Sequence, residues 1–418
     1  MAKPKQQFVC QQCAATYSKW MGRCENCGEW NTLVEQAPVQ AGKSAVDRSS
    51  ASGSVLAAQT LGSIDPEERI GRLATGIADL DTVLGGGVLP GGVTLLAGQP
   101  GMGKSTLLLQ VSAHIAKSHS VLYASGEESA HQVKQRAERL GAHGEEQLGF
   151  VSSTSADDIA ATIRSGKYQL IVIDSIQTLS LAEISSAPGT VSQITNSSNV
   201  VIRAAKETGA AVILVGHVTK EGSIAGPKVL EHLVDVVLQF EGDRYGGFKL
   251  VRAVKNRYGS TNEAAIFEMD EKGLRVVENP SAALLAERRD EDGSVVLATL
   301  EGNRPLLVEI QALVNPTSFG YPKRTASGFD LNRLNLLIAV LERRTKLKLS
   351  DKDVYINVVG GMKLSDPAAD LAVCMAIASA AAGRKLAKGT VVFGEVGLGG
   401  EVRSAKGVDK RIAESKKL

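Results

Sequence analysis

The feature of the sequence that most constrains its fold is a glycine-rich segment at residues 98–105, which matches the pattern G-x-x-x-x-G-K-[ST]. It follows an apolar run at residues 93–97 that is typical of a buried strand, and it precedes a helical pattern that starts near Ser105. In this order of strand, turn and helix, backbone N–H groups converge on bound phosphates and the helix adds the positive end of its dipole. The sequence therefore predicts a nucleotide-binding domain of the α/β class.

Two side chains of this phosphate loop (residues 98–105) have separate expected roles. Lys104 is expected to reach the β- and γ-phosphates of ATP, and the Ser105 hydroxyl is expected to bind Mg²⁺. ATP and Mg²⁺ are therefore predicted to bind here. The predicted nucleotide-binding residues are Gly98, Gln99, Pro100, Gly101, Met102, Gly103, Lys104, Ser105 and Thr106.

Two more predicted strands lead to carboxylates. The apolar run at residues 170–173 is followed by Asp174, which is placed to hold Mg²⁺ directly or through water. The run at residues 121–124 leads to Glu127 and Glu128, where a carboxylate can orient the water that attacks the γ-phosphate. Glu127 is the preferred candidate and Glu128 the second, although acids at a helix start are also favoured by the helix dipole alone.

A fourth apolar run, residues 212–215, is followed by His217 on the same predicted edge of the sheet, where it can sense the γ-phosphate. Apolar runs that alternate with helical patterns predict a parallel sheet covered on both faces. Polar loops at residues 185–193 and 220–228 follow two of these strands and are expected to be mobile; in a ring of subunits they could contact a DNA strand. The candidate contacts in the second loop are Lys220 and Lys228.

Four of the five cysteines form a pattern near the start of the chain. They stand as Cys10-x2-Cys13 and Cys24-x2-Cys27, with ten residues between the two pairs. This spacing can place four thiolates around one Zn²⁺, which would be structural because no coordination position stays open. Such a module can bind nucleic acid or protein, and both possibilities stay open. Cys374 stands alone in an apolar segment, so no disulfide scaffold is expected.

Composition narrows the class of protein. The 47 Lys and Arg residues oppose 45 Asp and Glu residues, and the resulting charge of +2 excludes a histone-like, strongly basic binder. The sequence contains no run of about 20 apolar residues and no secretory start, so a soluble, cytoplasmic protein without a membrane partner is expected. The predicted parts are a cysteine head at residues 1–34, a flexible linker at 35–70, the nucleotide-binding domain at 71–278 and a further domain at 285–418.

Residues 75–87, which lead into the phosphate loop, resemble the RecA-like ATPases, a group that includes ring helicases and clock kinases. With the cysteine head and the segment Lys255-Asn-Arg-Tyr-Gly259, the whole chain resembles the bacterial RadA (Sms) family of DNA-repair proteins. Tyr258 stands where that family normally has phenylalanine, so an aromatic ring is retained. The resemblance implies that Lys255 and Arg257 act across a subunit boundary on the neighbour's γ-phosphate, as an arginine finger does.

Residues 285–418 resemble the protease domain of Lon, and an α+β fold is expected there. This chain carries Ala369 where Lon has its nucleophilic serine, and Arg411 where Lon has its lysine. Alanine cannot be acylated and arginine cannot act as a neutral base, so the domain is expected to lack peptidase activity. The resemblance instead implies a role in ring assembly and DNA contact.

Four elements are predicted in this domain: a helix at residues 332–346, a strand at 354–359, an alanine-rich helix at 368–382 and a strand at 390–393. The family is expected to continue beyond Leu418. The candidate DNA contacts of the domain are Lys323, Arg324, Arg333 and Lys363.

The resemblance implies a DNA-dependent ATPase. It would work as a ring, a hexamer, that binds single-stranded and branched DNA and promotes branch migration of recombination intermediates with the RecA recombinase. Near-neutral net charge does not oppose this function, because a ring can concentrate basic loops in its hole. The alternatives are a regulator that binds ATP and switches a partner without motor activity, and a Lon-type ATP-dependent protease.

Overall fold

A computed structural model describes residues 7–10, 15–26, 28–30, 32–36, 60, 71–217, 229–242, 248–317 and 320–417. The chain divides into two compact units. The first unit comprises Met1–Leu238 and Val254–Gly259, and the second comprises Gln239–Ala253 and Ser260–Leu418. The predicted linker at 35–70 lies almost entirely outside the described residues. So do Cys13, Cys27, Lys220 and Lys228.

The cysteine head is built on three short antiparallel strands, β1 (Gln7–Cys10), β2 (Thr16–Tyr17) and β3 (Leu33–Gln36), in the order β2-β1-β3. Cys10, Cys24 and Leu33 are buried together at its centre. A core of this size cannot stabilise a fold by apolar burial alone, which is the usual situation of small metal-binding modules.

The rest of the first unit alternates helices and strands, as the sequence predicts. Its elements are α1 (Ala78–Leu84), β4 (Val93–Gly98), α2 (Lys104–Ala116), β5 (Val121–Ser125), α3 (Ala130–Arg139), β6 (Leu148–Ser152), α4 (Ala156–Arg164), β7 (Leu170–Asp174), α5 (Val191–Thr208), β8 (Ala211–His217) and α6 (Val229–Leu233). The next strand, β9 (Val236–Gly242), starts in this unit and ends in the second.

Strands β4, β8, β7, β5 and β6 pair in this order, and all four pairings are parallel. Helices α4 and α5 pack on the face that carries Leu95, Ile171 and Leu214. The alternate residues, such as Leu170 and Ile213, are buried as well, so both faces of the sheet are covered. The prediction of a doubly covered parallel sheet is confirmed.

The register of these strands fixes which residues meet at the carboxyl edge of the sheet. Gly98 at the end of β4 lies opposite His217 at the end of β8. Ser125 at the end of β5 lies opposite Asp174 at the end of β7. The loops that carry the predicted catalytic residues therefore start side by side.

The second unit is rich in sheet. The residues of strand β10 (Lys249–Asn256) belong to the second unit up to Ala253 and to the first from Val254. The elements that follow are β11 (Ala264–Asp270), β12 (Gly273–Val276), α7 (Pro280–Leu285), β13 (Ser294–Glu301), β14 (Arg304–Pro316), β15 (Arg324–Ser327), α8 (Leu331–Arg344), β16 (Lys352–Val358), α9 (Ala369–Ala382), β17 (Val391–Val392), β18 (Glu395–Val396), β19 (Val402–Arg403) and α10 (Val408–Ser415). Its main sheet has the order β15-β16-β14-β13-β17. One apolar core joins Ile266 and Val277 to Leu306 and Leu337. This core explains why the second unit starts before the predicted boundary at residue 278.

The four elements predicted in the C-terminal domain are present, and their ends differ from the prediction by at most two residues. The predicted mobile loop at 185–193 is shorter than expected, because α5 already starts at Val191. The buried Gln193 side chain holds this loop in place by hydrogen bonds. Its amide group donates to the carbonyls of Ile184 at 2.8 Å and Ser186 at 2.9 Å. Among the described helices, none is long and apolar enough to cross a membrane.

Candidate ATP site at the carboxyl edge of the sheet

The phosphate loop turns directly from β4 into α2, and two glycines make the turn possible. Gly101 has a φ of 77°, and Gly103, the residue before the helix, has a φ of 106°. L residues with a side chain rarely adopt these left-handed conformations, so the loop requires glycine at both positions. The backbone N–H groups at the start of α2 have no partners within the helix and are available to an anion.

Lys104 is the first residue of α2, and its side chain folds back over the loop. Its Nζ donates to the carbonyls of Gly98 at 2.8 Å and Gln99 at 2.9 Å. The residue is only 5% exposed, and burial lowers the pKa of its ammonium from 10.5 to about 8. The nearby carboxylates of Asp174 and Glu127 oppose this shift. Because the pKa of this ammonium lies close to neutral pH, a bound phosphate would raise that pKa and favour the charged lysine.

Asp174 ends β7 and is buried, as expected for a residue that continues an apolar strand. Its Oδ2 accepts a hydrogen bond from the hydroxyl of Tyr123 at 2.7 Å. The peptide bond between Asp174 and Ser175 is cis. Tyr123 is not among the site residues predicted from the sequence, because an aromatic residue within an apolar strand is typical of the core.

Glu127 lies in the turn after β5, and two groups hold one of its oxygens. The hydroxyl of Ser175 donates to Oε1, and Nε2 of His217 lies 3.2 Å from the same atom. The hydrogen bond with His217 is the main cause that lowers the pKa of Glu127 to about 2, against the effect of burial. Glu127 is therefore ionised at neutral pH, and its side chain is still 41% exposed.

Glu128, the second candidate, is engaged elsewhere. Both of its oxygens accept from the guanidinium of Arg136 on α3, at 2.5 and 2.6 Å. The hydroxyl oxygen of Ser125 accepts the backbone N–H groups of both Glu127 and Glu128 and so shapes this turn. The turn therefore directs one glutamate to the site and the other to a helix.

His217 connects the lysine and the glutamate. Its Nδ1 lies 3.4 Å from Nζ of Lys104, while its Nε2 faces Glu127. The two ring nitrogens thus link the phosphate loop to the turn after β5. The fold brings Lys104, Asp174, Glu127 and His217 together, as the sequence predicts.

Lys255 and Arg257 do not join this cluster in their own chain. Nζ of Lys255 donates to the carbonyls of Glu231 at 2.6 Å and Val234 at 2.7 Å. Arg257 pairs with the buried carboxylate of Asp235 at 3.0 Å. Asp235 in turn accepts from the backbone N–H of Val93, at the opposite end of β4 from the phosphate loop. Along a strand of this length the separation is roughly 16 Å.

In the cysteine head, the described cysteines stand at the starts of two tight turns. The N–H of Cys10 donates to Ala15 O at 2.9 Å, and the N–H of Cys24 donates to Glu29 O at 2.8 Å. The Sγ of Cys10 lies 3.2 Å from Thr32 Oγ1, and the Sγ of Cys24 lies 3.4 Å from the Tyr17 hydroxyl. Two buried thiols in one small core are chemically suited to Zn²⁺.

Comparison with known proteins identifies the family. Residues 64–223 match the AAA domain family, and residues 8–35 match the rubredoxin metal binding domain family. The chain is 49% identical over 423 residues to the DNA repair protein RadA of Bacillus subtilis, covering 100% of this chain and 92% of that protein. It is 47% identical over 418 residues to the DNA repair protein RadA of Pseudomonas aeruginosa, with the same coverage.

This chain belongs to the RadA family of DNA repair proteins. The predicted resemblance is confirmed, and with it the RecA-like α/β core, the N-terminal metal-binding module and the sheet-rich C-terminal region. Among solved structures, that of the RadB recombinase covers 49% of this chain and 100% of its own, at 22% identity and a TM-score of 0.39. A likeness of that size adds nothing to the family assignment.

In the second unit, Ala369 and Arg411, the positions compared with the Lon serine and lysine in the sequence analysis, carry neither a hydroxyl nor an amine. Ala369 is the buried first residue of α9. The Arg411 guanidinium is 1% exposed and donates to Ala298 O at 2.6 Å and Lys406 O at 2.9 Å, and it lies 2.7 Å from Asp366 Oδ2. The guanidinium is therefore neutralised and hydrogen-bonded by groups of the same unit.

Two of the predicted DNA contacts in this unit have structural partners instead. Arg333 forms a bidentate pair with the buried carboxylate of Asp370. Arg324 donates to the carbonyls of Leu349, at 2.8 Å, and Lys352. A surface contact to DNA is therefore a poor assignment for both arginines, whereas Lys323 and Lys363 are exposed.

Proposed function

We propose that this chain is a DNA-stimulated ATPase that acts as a ring motor in recombinational DNA repair. On this proposal it assembles as a homohexamer, binds single-stranded and branched DNA, and promotes branch migration together with the RecA recombinase. The observation that supports the proposal best is the meeting of Lys104, Asp174, Glu127 and His217 at one sheet edge in a member of a DNA-repair family.

For ATP hydrolysis, the phosphate loop and the start of α2 would bind the phosphates, with Lys104 against the β- and γ-phosphate oxygens. Asp174 and Ser105 would hold Mg²⁺, because a buried carboxylate and a hydroxyl are the oxygen ligands that this ion prefers. Bound Mg²⁺ supplies positive charge to the β- and γ-phosphate oxygens.

Glu127 would orient the attacking water. Ser175 and His217 both hold Oε1, so Oε2 is the oxygen that can accept a hydrogen bond from water. The pKa of about 2 makes Glu127 a weak base, which suits a residue that positions water better than one that removes its proton early. His217, which contacts both residues, would couple the binding of the γ-phosphate at Lys104 to the position of Glu127.

Lys255 and Arg257 would act on the ATP of a neighbouring subunit. Both lie near the amino end of β4, remote from their own phosphate loop, which is where a group that serves another subunit has to be. Cys10, Cys13, Cys24 and Cys27 would hold Zn²⁺, whose binding energy would stabilise the head directly.

Peptidase activity is not part of the proposal. Arg411 is permanently charged and enclosed by three acceptors, and Ala369 offers no nucleophile. The second unit would serve ring assembly and DNA contact.

The test is the steady-state rate of ATP hydrolysis by the full chain, with and without single-stranded DNA. The Lys104→Ala variant serves as the blank for contaminating ATPases. A clear increase on addition of DNA supports the motor. ATP binding without any effect of DNA would contradict it and favour a regulatory ATP switch.

A further inference from the structure

The hydrogen bond between Tyr123 and Asp174 joins two strands at the proposed ATP site. Tyr123 is 1% exposed, and its hydroxyl donates to Asp174 Oδ2 at 2.7 Å. We propose that Tyr123 is a positioning residue that fixes the Asp174 carboxylate in the orientation that holds Mg²⁺. This inference rests on the proposed ATPase function and names a residue for it that the phosphate-loop motif does not contain.

The register of the sheet makes this contact possible. Tyr123 on β5 lies opposite Val172 on β7, and Ser125 lies opposite Asp174. Paired residues of neighbouring strands point to the same face, so Tyr123 and Asp174 share a face and stand two residues apart along the strands. That offset is roughly 7 Å, which the length of a phenol can cover and a serine or threonine at this position cannot.

In this contact the phenolic hydroxyl is the donor and the Asp174 carboxylate is the acceptor. The hydroxyl occupies Oδ2 of Asp174. Oδ1 stays available to a ligand, since it accepts no hydrogen bond from any residue that the structure describes. Each oxygen thus has its own role, one for orientation and one for a ligand.

Packing alone does not account for a tyrosine here. Val172, which lies opposite Tyr123 on the same face of the sheet, is buried and apolar. A phenylalanine would fill the same space without having to bury a hydroxyl, which is costly unless it forms a hydrogen bond. The hydroxyl is therefore retained for its partner. Groups that orient a metal ligand in this way typically change metal affinity about 10- to 100-fold when they are removed.

The test compares Tyr123→Phe with wild type in the binding of a fluorescent, non-hydrolysable ATP analogue, once with Mg²⁺ and once with EDTA. We expect unchanged affinity in EDTA and a loss of about 10-fold or more in the gain in affinity that Mg²⁺ provides. The half-saturating Mg²⁺ concentration for hydrolysis should rise by a similar factor, with the rate recovering at high Mg²⁺.

Tyr168→Phe is the matched control, since Tyr168 is a partly buried tyrosine that packs on the core of the same unit and does not contact Asp174. It should leave both affinities unchanged. If Tyr123→Phe keeps the wild-type Mg²⁺ response, or weakens binding equally in EDTA and Mg²⁺, Tyr123 has only a structural role and the inference is wrong. Absence of any Mg²⁺-dependent binding in wild type would instead contradict the proposed ATPase itself.

Discussion

Two clusters of charged side chains, one in each unit, differ in how completely the fold satisfies them. At the candidate ATP site of the first unit, Glu127 is partly exposed and burial lowers the pKa of Lys104 to about 8. In the second unit, the buried Arg411 pairs with the largely enclosed Asp366, and both side chains find their partners within the fold. The Asp366 carboxylate also accepts from the backbone N–H groups of Leu300 and Ala368.

This difference separates a site for chemistry from a structural pair. A charged group can act on a substrate only if it keeps an unused hydrogen-bonding or ligand position and is accessible to that substrate. The Arg411–Asp366 pair meets neither condition, although its residues lie in the segments that were compared with Lon in the sequence analysis. Variants at four positions test this difference, from the largest expected effect to the smallest.

Lys255 is the strongest challenge to this distinction between functional and structural charges. Its ammonium donates hydrogen bonds to carbonyls of its own chain, and yet it is proposed to act on a neighbouring subunit. We expect Lys255→Ala to lower the rate of ATP hydrolysis about 10³-fold or more, as loss of an arginine finger does, with nucleotide binding intact. Hydrolysis at the wild-type rate would refute the role in trans.

A mixing experiment sharpens this test. Lys104→Ala lacks its own phosphate-binding lysine but keeps Lys255, whereas Lys255→Ala has the reverse defect. A mixture of the two inactive variants should recover part of the ATPase activity, because some subunit interfaces then combine an intact phosphate loop with an intact Lys255. A purely structural Lys255 predicts no recovery.

Glu127 and Glu128 form a comparison within one turn. Glu127→Gln should lower the hydrolysis rate about 10²- to 10⁴-fold, because the amide orients water poorly, while the affinity for ATP stays close to wild type. Glu128→Gln should affect the rate little, since that side chain only pairs with Arg136. Equal losses in the two variants would show that the turn as a whole, and not the Glu127 carboxylate, supports hydrolysis.

Arg411→Ala should destabilise the second unit by about 3–5 kcal/mol, because it removes a buried guanidinium with its hydrogen bonds and leaves the largely enclosed Asp366 carboxylate without a cation. Hydrogen exchange of peptides from α10 during a denaturant titration measures this loss. Arg403→Ala, which breaks an exposed pair with Glu401, is the control and should change exchange little. An Arg411→Ala variant with wild-type protection would show that the buried pair contributes no stability.

The pKa of Lys104 predicts the pH dependence of ATP binding. In the free protein the ammonium loses its proton as the pH rises through about 8, and ATP binding must then take up a proton. Affinity should therefore be constant below pH 8 and fall by up to about tenfold per pH unit above it. Lys104→Arg should abolish this dependence, since a guanidinium stays charged. Equilibrium binding between about pH 7 and pH 9.5 measures both proteins across the range in which the lysine titrates.

The sequence predicted the phosphate loop, the strand ends and the order of elements because each of them is encoded by residues close together in the chain. The glycines at 101 and 103 specify a local turn, and Asp174 and His217 directly end apolar strands. It did not reveal the partners of Arg333 and Arg324, since a cation in a polar stretch is typical of a surface and only the fold places acceptors beside them.

By itself, therefore, the sequence determined the family, the parallel α/β core and the residues proposed to bind phosphate, since local spacing and apolar periodicity are sufficient for these. Only the tertiary structure decided that Glu127 faces the site while Glu128 pairs with Arg136, and that Tyr123 holds Asp174 across 51 positions of sequence. Contacts of this kind depend on strand register and on the packing of distant segments, and neither is visible in the local pattern of the chain.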